Sequence, residues 1–204
     1  MKRKVLLISL FMGIAIFLSS KNSLPIVATY NMSLGESYTI RASDKGSVAI
    51  SVHYDNIDRI EILVSGENLS DFRREIIKLR EKYIEWKTVA VANNVKNHYK
   101  QFPDILSTTY VMILWEESGK TYAALPTVIT PVFLVTEEGE CGATIGIPSL
   151  VSATTKKDES VSLSAGAIIL FSSEDEIQSL IDALDPIHIK NYYEANPPVD
   201  DLFK

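Results

Sequence analysis

The chain has 204 residues, of which 46% are hydrophobic and 23% charged, about one domain's worth of foldable sequence. Nine glycines and eight prolines are too few for a disordered, collagen-like or low-complexity chain, and a single cysteine excludes an internal disulfide framework. The twenty-six acidic residues outnumber the twenty basic ones, giving a net charge of −6, and a chain of this size hides roughly 70% of its unfolded surface without help from a metal.

The chain opens on the basic Met1-Lys2-Arg3-Lys4. An apolar run from Val5 to Leu18 follows, broken only by Ser9 and Gly13, and then Ser19-Ser20-Lys21. That order matches a secretory signal peptide, and the run falls short of the roughly 20 residues a spanning helix needs. Residues 1–28 are therefore expected to be a signal peptide, cut after about residue 20 or 28, with an uncleaved anchor as the alternative. No membrane span is expected after cleavage. The later cut would leave sixteen basic residues against twenty-six acidic ones, a net charge of −10. Nucleic acid and anionic lipid select for clustered Lys and Arg, so neither is expected as a partner. An exported chain with one cysteine fits a bacterial envelope or secreted protein better than a disulfide-rich eukaryotic one.

From Tyr38 the pattern has period two. Tyr38, Ile40 and Ala42, then Val48, Ile50, Val52 and Tyr54, then Ile60, Ile62 and Val64 alternate with mostly polar neighbours, Leu63 being the exception. Turn residues separate the runs, which predicts a three-stranded antiparallel meander with one wet face. The period then changes. Phe72, Ile76, Leu79, Tyr83 and Trp86 recur at spacings of four and three, one stripe of an amphipathic helix over about 69–93. Asn68 or Ser70 is the expected cap, and Asn93-Asn94 the expected stop.

Strands return after Phe102-Pro103. Tyr110 to Trp115 and Val132 to Thr136 are apolar on both faces, as central strands are, while Pro126 and Pro131 bracket a short segment. Cys141 to Ile147, Leu150 to Thr154 and Val161 to Phe171 extend this to a long meander. Ser173-Glu174-Asp175-Glu176 is a capping box opening a second helix over about 174–184, with Asp185-Pro186 as its stop. The order is βββ-α-β(5-7)-α. The expected fold is α+β, an antiparallel meandering sheet with two amphipathic helices packed on it, in a single domain over 29–195 with a loose tail at 196–204.

Chemical signatures are weak. Gly119-Lys120-Thr121 lacks the leading glycine of a phosphate loop and enters a strand, so it reads as a hairpin turn. Ser164-Ala165-Gly166 lacks the first glycine of a nucleophile elbow. Cys141, beside Gly142 and Ala143, is small enough for a core position; as a nucleophile it would need one of His53, His98 or His188 beside it. No histidine pair has helical ligand spacing. The acidic stretches Asp55-Asn56-Ile57-Asp58 and Glu137-Glu138-Gly139-Glu140 do not follow a calcium-loop pattern, so no metal or cofactor is expected. Arg41, Ser51, His53 and Glu61 share outward parity on the first meander, as a solvated face or a small polar binding patch. Tyr83, Trp86, Tyr110, Trp115, Tyr122 and Phe133 either fill the core or line a groove, and Tyr192-Tyr193 are placed to hold the tail. These features point to a non-catalytic exported binding or accessory module for a protein, peptide or glycan. The alternatives are a secreted hydrolase with a dispersed site, Cys141 with a histidine, and an envelope assembly subunit that pairs through a strand edge.

Overall fold

The structure, a computed structural model, describes residues 24–31, 37–54, 57–124, 126–153, 161–163 and 167–196. The expected leader lies almost wholly outside these residues, as do Ser164-Ala165-Gly166, residues 154–160 between two of the expected strands, and the tail beyond Asn196. The fold is α+β with antiparallel pairing throughout.

Four strands come first: β1 (Ile26–Asn31), β2 (Ser37–Ala42), β3 (Val48–Tyr54) and β4 (Ile57–Val64). They form one sheet with β6 (Tyr110–Glu117), β7 (Lys120–Ala123) and the short β8 (Thr127–Val128), in the order β1-β2-β3-β4-β6-β7 with β8 also on β6. The period-two reading holds: Tyr38, Ile40, Ala42, Val48, Ile50, Val52, Ile60, Ile62 and Val64 are all buried in the main core. Leu63, the residue that breaks the polar side, joins Ala49, Met112, Leu114 and Ala123 in a separate small cluster. Ser118 and Gly119 adopt φ of +53° and +73° between the paired Glu117 and Lys120. Positive φ at both central residues suits a two-residue hairpin turn, so the Gly-Lys-Thr sequence does enter a strand.

Helix α1 (Gly66–Ala92) follows. It starts three residues earlier than expected, and Ser65 rather than Asn68 or Ser70 stands at its N-cap, without a side-chain capping bond. The early start needs glycine: a Cβ on Gly66 would run into the carbonyl of Lys45. Leu69, Phe72, Ile76, Leu79 and Tyr83 are buried along its stripe. Thr88 to Val91 stay helical, and Asn93 caps the end.

The strands after α1 are not one meander. Four of them, β13 (Ala167–Phe171), β10 (Cys141–Gly146), β9 (Thr130–Val135) and β5 (His98–Gln101), form a second sheet in that order. The short β11 (Leu150–Val151) and β12 (Ser162–Leu163) pair with each other. Helix α1 packs against β9, β10 and β4, so one continuous core joins the inner faces of both sheets.

Two helices end the fold, making three where two were expected. Helix α2 (Glu174–Ala183) has Ser173 at its N-cap, its Oγ accepting from the Glu176 N–H at 3.3 Å. The Glu176 carboxylate closes the box one residue early, accepting from the N–H of Ser172. Asp185-Pro186 does stop α2, but the same pair starts α3 (Pro186–Ala195). Asp185 caps it by accepting from the Ile187 N–H at 2.8 Å, and proline at the first helical position needs no N–H partner. Tyr193, on α3, donates to the Ala42 carbonyl at 2.7 Å and fastens this helix to β2.

One buried carboxylate locks the loop between β5 and β6. Glu75 on α1 accepts from the Leu106 N–H at 3.1 Å and from Lys78 at 2.7 Å. Burial pushes its pKa up, but those two bonds and the charges of Lys78 and Arg74 outweigh this and bring it below the ordinary 4.5. A depressed folded-state pKa gives stability that is complete above the unfolded value and is lost as pH falls through the folded one. Glu75→Gln is expected to lower stability by about 1–3 kcal/mol at pH 7. Denaturant melts below about pH 4.5 should show wild type and variant converging; a pH-independent gap would count against this role.

Candidate functional site: the free edge of the second sheet

Strand β5 is at the end of its sheet. Among the described residues it pairs only with β9, through His98↔Val135, Tyr99↔Leu134, Lys100↔Phe133 and Gln101↔Val132. Phe102 N–H donates to the Pro131 carbonyl at 3.0 Å. Hydrogen-bonded and non-bonded pairs alternate in an antiparallel ladder, and both polar groups of a residue face the same neighbour. His98 and Lys100 therefore spend their backbone groups on β9, while Tyr99 and Gln101 turn theirs outward to the open edge.

The side chains divide the other way. His98 and Lys100 share a face with Val135 and Phe133, both buried in the core, and so look toward α1. There they line a cleft of about 350 Å³ with Trp86, Val89, Ala90, Val95 and Phe133. Its floor is an aromatic cluster: Trp86 stacks on Phe102 at 4.9 Å and meets the edge of Phe133 at 5.7 Å. The Lys100 Nζ lies 4.9 Å from the Trp86 ring centroid, a cation–π distance. Tyr99, 81% exposed, stands on the opposite face. It borders a second groove of about 440 Å³ with Val132, Leu134, Thr144, Ile147 and Pro148. An open backbone edge thus runs between two largely apolar hollows, one on each face.

The residues singled out from the sequence fall elsewhere or in part here. Arg41, Ser51 and Glu61 do meet on the outer face of the first sheet. Arg41 Nη1 donates to Ser51 Oγ at 2.9 Å, and Ser51 Oγ donates to Glu61 at 3.0 Å. Arg59 bridges Glu61 at 3.4 Å and Glu116 at 3.3 Å. The charges of this ladder are paired with one another, although Arg41 Nε is buried without a hydrogen-bond partner among the described residues. His53 lies on β3, and its side chain is outside the described set. Of the acidic stretches, Asp55-Asn56 is also outside that set and Glu137–Glu140 forms the turn between β9 and β10. No three His, Cys, Asp or Glu gather as a metal site among the described residues.

Cys141 and His98 do share a row, since both pair with Val135. Val135 stands between them, however, and two strand spacings are about 10 Å. The thiol's hydrogen-bond contact is the Gly139 carbonyl, at 4.0 Å. Burial raises its pKa, and Lys87 offsets that only in part, which is the environment of an unactivated thiol. Tyr83 crosses the same region, its hydroxyl shared between the carbonyls of Cys141 and Ser172 at 3.1 and 3.2 Å, with its pKa pushed up to about 12 by burial.

The aromatics split as well. Tyr83, Trp115 and Phe133 are core, Tyr122 stacks on Trp115 at 5.5 Å, and Tyr110 is exposed. Trp86 serves both roles, packed below and lining the cleft above. Sequence patterning missed β5 itself, because His98-Tyr99-Lys100-Gln101 has no apolar alternation; the bracketing Asn97 and Phe102-Pro103 are its only local signal. Comparison of the chain with family models, curated proteins and solved structures finds no match.

Proposed function

We propose that the protein is an exported, non-catalytic binding module that takes an extended polypeptide segment along the edge of β5. The observation that carries this reading is the outward-facing backbone of Tyr99 and Gln101, set between a hollow on each face. Strand addition uses main-chain bonds for affinity and alternate side-chain pockets for specificity, and this edge has both parts. A glycan is the weaker fit. Sugars want an open ring face, and the Trp86 ring is already stacked on Phe102 with Lys100 close to it. Export rests on the basic and apolar leader. Of the two expected cuts, one after about residue 20 would leave β1 whole, whereas one after Ala28 would divide this edge strand.

A neutral, β-prone peptide of alternating valine and threonine tests the reading. Its addition should slow amide hydrogen exchange at Tyr99 and Gln101 selectively, as followed by NMR. Protection confined to the outer face of the first sheet, or none at millimolar peptide, would overturn it.

A further inference from the structure

We infer that the segment received by β5 is acidic on the face that meets α1 and apolar on the other, which deepens the strand-addition reading and rests on it. The argument starts from charge accounting. The chain is acidic overall, and the lysines along α1 are already matched: Lys78 to Glu75, Lys82 to Glu85, Lys87 to Glu174. Lys100 is different. Its ammonium lies over Trp86 in an apolar-walled cleft and has no carboxylate partner among the described residues. His98, two residues away on the same face, lines the same hollow.

An added strand places its residues directly opposite those of β5, and its side chains alternate between faces with period two. Positions opposite His98 and Lys100 would enter the α1-side cleft, where an Asp or Glu meets an unmatched cation at the mouth of a low-dielectric hollow. The intervening positions would lie beside Tyr99 and over Val132 and Leu134, where aliphatic side chains fit. A second copy of this chain is a poor occupant, since antiparallel β5–β5 pairing would bring Lys100 near its own counterpart. A lysine on an edge strand disfavours such self-pairing. The charge that repels a copy selects an acidic partner.

Two synthetic probes decide this: Thr-Glu-Val-Glu-Val-Glu-Thr and the same peptide with lysine in place of glutamate. The acidic probe should bind about tenfold more tightly at low salt, and this ratio should shrink toward one near 1 M salt, where the Debye length is about 3 Å. Lys100→Gln should remove the preference. Gln101→Pro should abolish binding of both probes, because it deletes an outward N–H without touching the ladder to β9. An acidic probe N-methylated along its backbone gives the same test without altering the protein, and it should not bind.

Equal binding of both probes, lost on N-methylation, would overturn the acidic preference and leave strand addition standing. An acidic preference that survives both N-methylation and Gln101→Pro would overturn strand addition and this inference together, as would failure of both probes to bind at millimolar concentration. A dimer that Gln101→Pro converts to monomer in sizing chromatography would assign the edge to a second copy and overturn the inference.

Discussion

Phe133→Ala is expected to cost about 3–5 kcal/mol in stability, read as a lowered denaturant midpoint with little change in slope. Phe133 is on β9, is buried, and lies at the centre of an aromatic group, its centroid 6.0 Å from Tyr83, 5.7 Å from Trp86 and 6.1 Å from Phe102. Truncation removes the ring that joins α1 to the second sheet. The void would also open into the cleft beneath Lys100, so the variant should lose peptide binding along with stability. Phe133→Leu restores most of the volume and should cost under about half as much. A loss below about 1 kcal/mol for the alanine variant would mean that Trp86 and Phe102 collapse into the space.

The second large effect is expected at Glu61. Glu61→Ala should destabilise by about 3 kcal/mol, since it leaves the half-buried Arg41 guanidinium without a carboxylate, while Arg59 keeps Glu116. Arg41 and Arg59 lie 3.6 and 3.4 Å from the Glu61 oxygen, and the Glu61 side chain is only 12% exposed. Ser51, 6% exposed, would lose its acceptor as well. Arg41→Met combined with Glu61→Leu should recover much of the loss, because a matched apolar pair leaves neither charge stranded. Thermal unfolding at low and high salt checks the origin. A cost below about 0.5 kcal/mol would place the ladder among ordinary exposed ion pairs.

Both residues show what the amino-acid pattern carries. The inner parity of Tyr38, Ile40 and Ala42 and the outer parity of Arg41, Ser51 and Glu61 follow from the same alternation, because one register error would move every side chain to the other face. The stripe of α1 and the Ser173 cap were equally legible, being local. Strand partnership was not. Nothing in Tyr110–Glu117 or Thr130–Val135 says that the first joins β4 and the second joins β5, since both are apolar on both faces. Asp185-Pro186 was ambiguous for a different reason: the residue pair that ends one helix is also a good start for the next. Strand β5 is bound by backbone geometry on a polar sequence, so hydrophobic periodicity has nothing to report there, and the cleft beside it depends on residues from α1, β5 and β9 brought together only by folding.

The spacing of strand partners along the chain also sets an order of assembly. Ile40 and Ile50 pair ten positions apart, and Ile50 and Ile62 twelve, so the first four strands can close early, once this part of the chain is free to fold. Strand β5 must wait for β9, since Tyr99 pairs with Leu134. Until β9 arrives beside it, β5 stands with both edges open. A sequence as polar as His-Tyr-Lys-Gln suits that interval, because a greasy strand left unpaired would invite misassembly. The hydrophilic character that hides this strand from pattern analysis thus also protects the chain while it folds.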